Sequence, residues 1–189
     1  TTLTLEYEYL YSDRTYNDGL PIDPVTFELP ISRYLGEPGD RIDETTNNLI
    51  LSFDHRFDDN ISLRTAFGAS FSEGEDVACR VSEYDPETQE VSRFCVIDGS
   101  EYDDVYSWQT DLVAKFNTGS VQHQLLLGLE LSQRNNGYEN FEASGANINV
   151  FDPVYGEPIP PSDYSFKDDF TSNAVGLYLQ DQIALLPNL

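Results

Sequence analysis

Stretches in which every second residue is apolar alternate along this chain with connections that are either very short or very long. These stretches occupy residues 2–11, 47–57, 61–72, 105–117, 121–132 and 171–185. Residues 58–60 and 118–120 form the short connections, and Pro187-Asn188 ends the last stretch with a further turn signal. The remaining connections, 12–46, 73–104 and 133–170, each exceed 30 residues. In an antiparallel meander, successive connections lie at opposite ends of the strands. The pattern therefore predicts an all-β, up-and-down segment of a transmembrane β-barrel, with short periplasmic turns and long extracellular loops.

One face of the predicted strands is apolar, and its aromatic residues concentrate near the strand ends. Leu and Ala fill the middle of this face. The rings near the long connections are Tyr7, Tyr9, Tyr11, Phe71, Tyr106 and Trp108, and those near the short turns are Phe53, Phe57 and Phe116. Two aromatic belts around an aliphatic band are typical of a surface that faces a bilayer. Stretches of ten or more residues are also long enough to cross one when tilted.

The opposite face carries too many charged residues for a dry core. They are Glu6, Glu8, Asp54, Arg56, Arg64, Asp111, Lys115 and Glu130. Buried charges are costly unless they are paired or hydrated, so this face is expected to line a water-filled or plugged interior. Transmembrane barrels have at least about eight strands. We therefore expect the six strands, which begin without an initiator Met, to be the middle part of a larger wall.

The formal net charge of −24 argues against a nucleic-acid partner and against an anionic membrane surface. The sequence shows no nucleophile–base constellation, no metal-ligand spacing and no phosphate-binding glycine loop. We therefore expect neither an enzyme nor a bound cofactor or metal. Cys79 and Cys95 lie in the same long connection, and their spacing allows either one disulfide in an oxidising compartment or two free thiols.

Several segments resemble the strand–turn–strand units of TonB-dependent siderophore receptors. Residues 49–60 read Leu-Ile-Leu-Ser-Phe-Asp-His-Arg-Phe-Asp-Asp-Asn, and residues 110–119 read Thr-Asp-Leu-Val-Ala-Lys-Phe-Asn-Thr-Gly. The most specific piece is Gly-Leu-Tyr-Leu-Gln-Asp-Gln at 176–182. The ferrichrome-type hydroxamate branch resembles the chain most, because its corresponding loop holds a cysteine pair that Cys79 and Cys95 would reproduce. Residues 72–76 carry no aromatic ring, although that branch has rings just before its cysteines.

The resemblance implies a 22-stranded barrel that is a monomer at full length, with an N-terminal plug that this segment lacks. It implies a location in the outer membrane of a Gram-negative bacterium, in contact with lipid. It also implies active uptake of a ferric siderophore, driven through the TonB complex by contacts of the missing N-terminal part. Iron would arrive inside the chelate and not as a protein-bound cofactor.

A receptor for a ferric chelate needs aromatic walls and a few polar anchors rather than metal ligands of its own. Candidates at the bases of the predicted loops are Arg14, Tyr16, Tyr34, Arg80, Tyr84, Phe94, Arg134, Tyr138 and Tyr155. The alternative role for each tyrosine is packing against a neighbouring loop. For each arginine it is an ion pair with one of the many loop acids.

Three other functions fit the same sequence. The first is TonB-dependent uptake of another cargo, such as haem or cobalamin. The second is a passive outer-membrane channel. The third is a secreted, calcium-dependent β-domain, which would be soluble and monomeric in isolation.

Overall fold

The computed structural model describes residues 1–23 and 26–185, and these form one six-stranded antiparallel sheet whose strand order follows the chain. The strands are β1 (Thr2–Arg14), β2 (Arg41–Arg56), β3 (Ile61–Asp85), β4 (Glu90–Thr118), β5 (Val121–Asn149) and β6 (Tyr164–Ala184). The one helix of the described ranges is a 3-10 turn at Thr26–Glu28. No helix there is long and apolar enough to span a membrane.

The two short turns are closed by local chemistry. Between β2 and β3, the Asp58 carboxylate accepts hydrogen bonds from the amides of Asn60 and Ile61 at 2.7 and 2.8 Å. This side chain therefore takes the place of a backbone acceptor in the turn. Between β4 and β5, Gly119 adopts a φ of 66°, which a two-residue hairpin turn requires and glycine tolerates.

At the end of the sheet opposite the short turns, the strands extend much further than predicted. β3 continues to Asp85 and β4 starts at Glu90, so most of 73–104 is strand and not loop. In the same way, strands occupy much of 133–170, because β5 ends at Asn149 and β6 begins at Tyr164. Backbone ladders need a partner strand but no apolar side chains, so the sheet continues where the hydrophobic alternation has stopped.

The register keeps the apolar face continuous across all six strands. One row of directly paired residues reads Leu5, Leu51, Phe67, Trp108, Leu131 and Val175. Among the described residues no second layer covers this face, since Leu51 is 42% exposed, Phe67 42% and Leu127 48%. The described part of the sheet is therefore a single layer with an apolar face and a polar face, and not half of a compact sandwich.

The buried cluster lies beyond the apolar band, where the long strands meet the loops. Leu29 and Leu35 come from the first loop (residues 15–40), Val91 from β4, Ile148 from β5 and Val150 from the third loop (residues 150–163). Leu20, Val81 and Tyr84 pack around them. Burial of these side chains attaches both loops to the end of the sheet.

Candidate functional site

A cavity of about 270 Å³ opens on the polar face near the long-strand end. Its lining comprises Arg14, Ile42, Glu75, Asp76, Arg80, Glu101, Tyr138 and Asn140. Five neighbouring strands thus converge on it, because β1, β2, β3, β4 and β5 are adjacent in the sheet. Three of the predicted ligand contacts, Arg14, Arg80 and Tyr138, lie in this wall.

Arg80 is held between a carboxylate and an aromatic ring. Its guanidinium contacts Asp76 and lies 4.7 Å from the ring centroid of Tyr16, a predicted contact that comes from the first loop. Burial tends to lower the pKa of Arg80, but the hydrogen bond and the charge of Asp76 outweigh it and raise that pKa. Arg80 therefore stays charged, and Tyr16 positions it through a cation–π contact.

The other two predicted arginines are also paired with acids. Arg14 lies 3.8 Å from Glu44. Arg134, on β5, donates two hydrogen bonds of 2.7 Å to Asp103 on β4. The planar guanidinium matches a carboxylate in this bidentate arrangement. Tyr138 packs against Phe166 of β6, with ring centroids 5.2 Å apart.

Three of the predicted tyrosines lie in the packing of the loops and not in the cavity wall. The Tyr34 hydroxyl is 2.8 Å from Asp40 and 2.9 Å from the carbonyl of Tyr16. Burial, followed by the hydrogen bond to Asp40, raises the pKa of Tyr34 well above its ordinary value. The Tyr155 hydroxyl donates to the carbonyl of Tyr34 at 2.8 Å, and Tyr84 packs against the buried cluster. These residues therefore hold the loops.

Phe94 occupies a third kind of position. It lies on β4 directly opposite Arg80 and is partly buried, outside the residues that line the cavity. The predicted contacts thus divide into the cavity wall, the support of that wall by Tyr16, loop packing, and sheet positions outside the cavity, where Phe94 and Arg134 lie.

Two aspartates of the first loop accept hydrogen bonds from an edge of β3 that no described strand pairs with. β2 begins opposite Val77, so the following residues of β3 have no partner on that side. The amide of Cys79 donates to Asp40 at 3.0 Å, and the amide of Val81 donates to Asp18 at 2.9 Å. Alternate amides point to the same edge of a strand. The first loop therefore satisfies in sequence the donors that β2 would otherwise take.

An arginine that the sequence did not single out fixes the same loop. Arg93 is only 5% exposed, and its Nη1 lies 2.9 Å from Glu37 Oε1 in the first loop. Its Nε donates to the carbonyl of Ala146 at 2.8 Å. The sequence gives no sign of this role, because Arg93 resembles every other arginine in an acidic loop. A buried charge of this kind persists only where it is paired and hydrogen-bonded.

The two cysteines face each other on β3 and β4. Cys79 and Cys95 form a disulfide with a Cα–Cα distance of 3.9 Å, and both are buried. The bond joins the strands just beneath the tip at residues 86–89. Within the described ranges, no group of three or more His, Cys, Asp or Glu residues is placed to hold a metal ion.

Comparisons with known proteins agree on a family. A sequence model described as TonB dependent receptor-like, beta-barrel matches residues 1–189. The metal-pseudopaline receptor CntO of Pseudomonas aeruginosa is 30% identical over 190 residues, which cover 97% of this chain. The chain spans 27% of the length of that relative.

Solved receptor structures have the same fold. The siderophore receptor PiuA from Acinetobacter baumannii superposes with a TM-score of 0.75 at 18% identity, over 98% of this chain and 31% of its own. The closed form of Fiu, a ferric-catecholate import receptor from E. coli K12, gives 0.76 at 15% identity, over 98% and 30%. At these identities the likeness concerns the fold alone.

Proposed function

The chain belongs to the β-barrel family of TonB-dependent receptors, and we propose that the complete protein takes up a ferric siderophore or a related metal chelate. Members of this family are transport receptors and not enzymes. Membership also assigns the chain to the outer membrane of a Gram-negative bacterium. The alternative of a secreted, calcium-dependent domain is therefore wrong.

The two unlike faces of the sheet are the observation that carries the proposal. An apolar face without a covering layer suits lipid, and a polar face with paired charges suits a hydrated interior. The cavity at the long-strand end lies on that polar face. A chelate entering from outside the cell would meet this end of the wall first. In our proposal, the other strands, a plug and the TonB complex complete the transport cycle.

The cargo within the chelate class is a further proposal. The named relatives are receptors for metal-pseudopaline, for a siderophore and for ferric catecholate, which supports a metal chelate as the general class. From the sequence resemblance we propose a hydroxamate chelate. Assignment to the ferrichrome-type branch stays a prediction.

Growth under iron starvation tests the function. A host that lacks its own receptors should receive the full-length gene and be fed ferric hydroxamates, ferric catecholates, metal-pseudopaline, haem or cobalamin. Rescue by a ferric or related metal chelate, dependent on TonB, is expected. Failure of every chelate despite normal surface expression would overturn the proposal, and rescue by haem or cobalamin alone would assign another cargo.

A channel would behave differently in a lipid bilayer. The full-length receptor should conduct no steady ion current without TonB, because a plug closes such a barrel. Open-channel conductance of the purified, intact protein would favour the passive alternative.

Tyr16→Ala tests the cavity. Loss of the ring removes the cation–π contact that positions Arg80, so chelate affinity should fall about three- to tenfold while the barrel still folds. Binding to purified receptor by titration calorimetry measures this change. Phe27→Ala is the matched control, since Phe27 lies in the same loop and is 74% exposed. Equal affinities for Tyr16→Ala and the native receptor would remove Tyr16 from the site.

A further inference from the structure

Two acids of the cavity lining, Glu75 and Glu101, have no partner among the described residues. Only Glu101 lies on the polar face, because the alternation along β3 places Glu75 on the side opposite Asp76. Asp76 contacts Arg80, Glu44 lies 3.8 Å from Arg14, and Asp103 binds Arg134. In contrast, Glu101 makes no hydrogen bond or ion pair with any described residue. It lines the cavity as an exposed carboxylate.

A glycine on the neighbouring strand makes room for this side chain. Glu101 on β4 pairs with Gly74 on β3. A Cβ at position 74 would lie 2.9 Å from Glu101 Cγ and 3.0 Å from its Oε1. The Glu101 side chain therefore lies across Gly74, on the side of the sheet where Asp76 and Arg80 also line the cavity.

Among the described residues that line the cavity, no cation is without a carboxylate partner. Its two arginines, Arg14 and Arg80, are both engaged by carboxylates among the described residues. A negatively charged group of a ligand would have to compete with these carboxylates. A positively charged group would find Glu101 already free. On the strand next to Glu101, the residue at the paired position of β5 is Tyr138. The face of its aromatic ring attracts cations.

We propose that Glu101 determines specificity by binding an ammonium group of the transported chelate, which makes an amine-bearing metal chelate the cargo. The ammonium group donates a hydrogen bond to the carboxylate and is attracted by its negative charge. This inference rests on the proposed function, because it concerns the cargo of the same site. The metal stays wrapped in the ligands of the chelate and does not touch the protein.

A two-by-two binding experiment isolates the contact. The probes are a linear ferric trihydroxamate with a free terminal amine and the same chelate after N-acetylation, which keeps the iron shell and removes the positive charge. The receptors are full-length native protein, Glu101→Gln and Glu73→Gln. Glu73→Gln removes the same charge from the opposite face of the sheet, in the row that contains Tyr11 and Tyr102.

N-acetylation should weaken binding to the native receptor about fivefold and leave binding to Glu101→Gln nearly unchanged, within about twofold. Glu73→Gln should discriminate like the native protein. Gly74→Ala, which forces Glu101 to move, should reduce the discrimination without removing the carboxylate. The heat-modifiable shift in gel mobility, typical of folded barrels, checks that each variant is folded.

The inference is overturned if the native receptor binds both probes equally, or if Glu101→Gln still prefers the amine. It is also overturned if neither probe binds while another chelate supports growth, and in that case the proposed uptake function stands. If no metal chelate supports growth, the proposed function itself fails.

Discussion

At the scale of single residues, tyrosine side chains lie across glycines of the neighbouring strand. On the polar face, Tyr178 of β6 lies across Gly128 of β5, and its hydroxyl contacts Asp111 of β4. On the other face, Tyr102 of β4 lies near Gly137 of β5 and donates to Asp169 of β6 at 3.0 Å. Each tyrosine thus spans three strands, because the middle strand has no side chain at that position.

Gly128→Ala should destabilise the barrel by about 1–3 kcal/mol, since overpacking forces side chains to shift. The added Cβ would lie 2.0 Å from the Tyr178 ring, and moving the ring would break its contact with Asp111. Urea unfolding of full-length receptor in lipid vesicles measures the effect.

The control for this substitution is Gly176→Ala. A Cβ at position 176 would meet nothing closer than 3.5 Å, and the residue lies on β6, on the same polar face of the membrane-spanning part of the sheet. It should change stability by less than about 0.5 kcal/mol. Equal losses for the two variants would show that Tyr178 can move freely.

Tyr34 should remain protonated in the folded protein at pH values where ordinary tyrosines ionise, about pH 10 to 11. Because its pKa is raised on folding, its stabilising contribution is complete below the ordinary pKa and is lost as pH rises above it. The native melting temperature should therefore fall more steeply than that of Tyr34→Phe between about pH 9.5 and 11.5.

Absorbance at 295 nm provides a direct check on the same residue. At about pH 11, folded native receptor and folded Tyr34→Phe should show the same number of ionised tyrosines, since Tyr34 contributes nothing. After denaturation, the native protein should show one more. One extra ionised tyrosine in the folded native receptor would contradict the raised pKa.

At the scale of elements, carboxylates from the first loop act as a substitute for a missing strand. Asp40 accepts from the amides of Cys79 and Glu37 and contacts the Tyr34 hydroxyl. Glu37 in turn joins Arg93 and accepts from the amide of Gly156 at 2.8 Å. The first loop, the third loop and the disulfide-linked end of the β3–β4 hairpin therefore form one connected unit.

Asp40→Ala should release the first loop. The amides of Cys79 and Glu37 lose their acceptor, and the Tyr34 hydroxyl keeps only the carbonyl of Tyr16. Leaving a buried donor without a partner costs about 1–3 kcal/mol. Limited proteolysis of intact cells should then cut within residues 15–40 about tenfold faster, because local opening becomes more frequent. Glu28→Ala, an exposed residue of the same loop, should not change the rate. Unchanged cleavage of Asp40→Ala would mean that other contacts suffice.

At the scale of the whole molecule, the described sheet has two open edges and one bare apolar face. β1 and β6 each pair on one side only within the described ranges. Leu3, Leu5, Leu177 and Leu179 are each more than 60% exposed there. Unpaired edges and large apolar surfaces both favour association.

The 189-residue chain produced alone should therefore require detergent or aggregate. Size-exclusion chromatography with light scattering, with and without detergent, tests this expectation. A monodisperse monomer in detergent-free buffer would contradict the assignment of the apolar face to lipid. The full-length receptor in detergent is the reference.

The sequence determined the sheet, its strand order and its two faces, because these depend on local quantities. A period of two fixes which side chains share a face, and a turn of two or three residues, as at Gly119, fixes which strands pair and in what register. The strand ends could not be read in this way. Beyond the membrane, buried apolar residues such as Cys95 and Val96 follow each other directly, and bulges shift the register, so regular alternation no longer marks the strands up to Asp85 and Asn149.

Only the tertiary structure decided which loop residues face the cavity. Arg80 and Tyr34 are equally plausible contacts in the sequence, yet one lines the wall and the other holds a loop. The free carboxylate of Glu101 depends on Gly74, which lies on another strand. Such roles depend on pairings between residues far apart in the chain, and no local pattern of side chains records those distances.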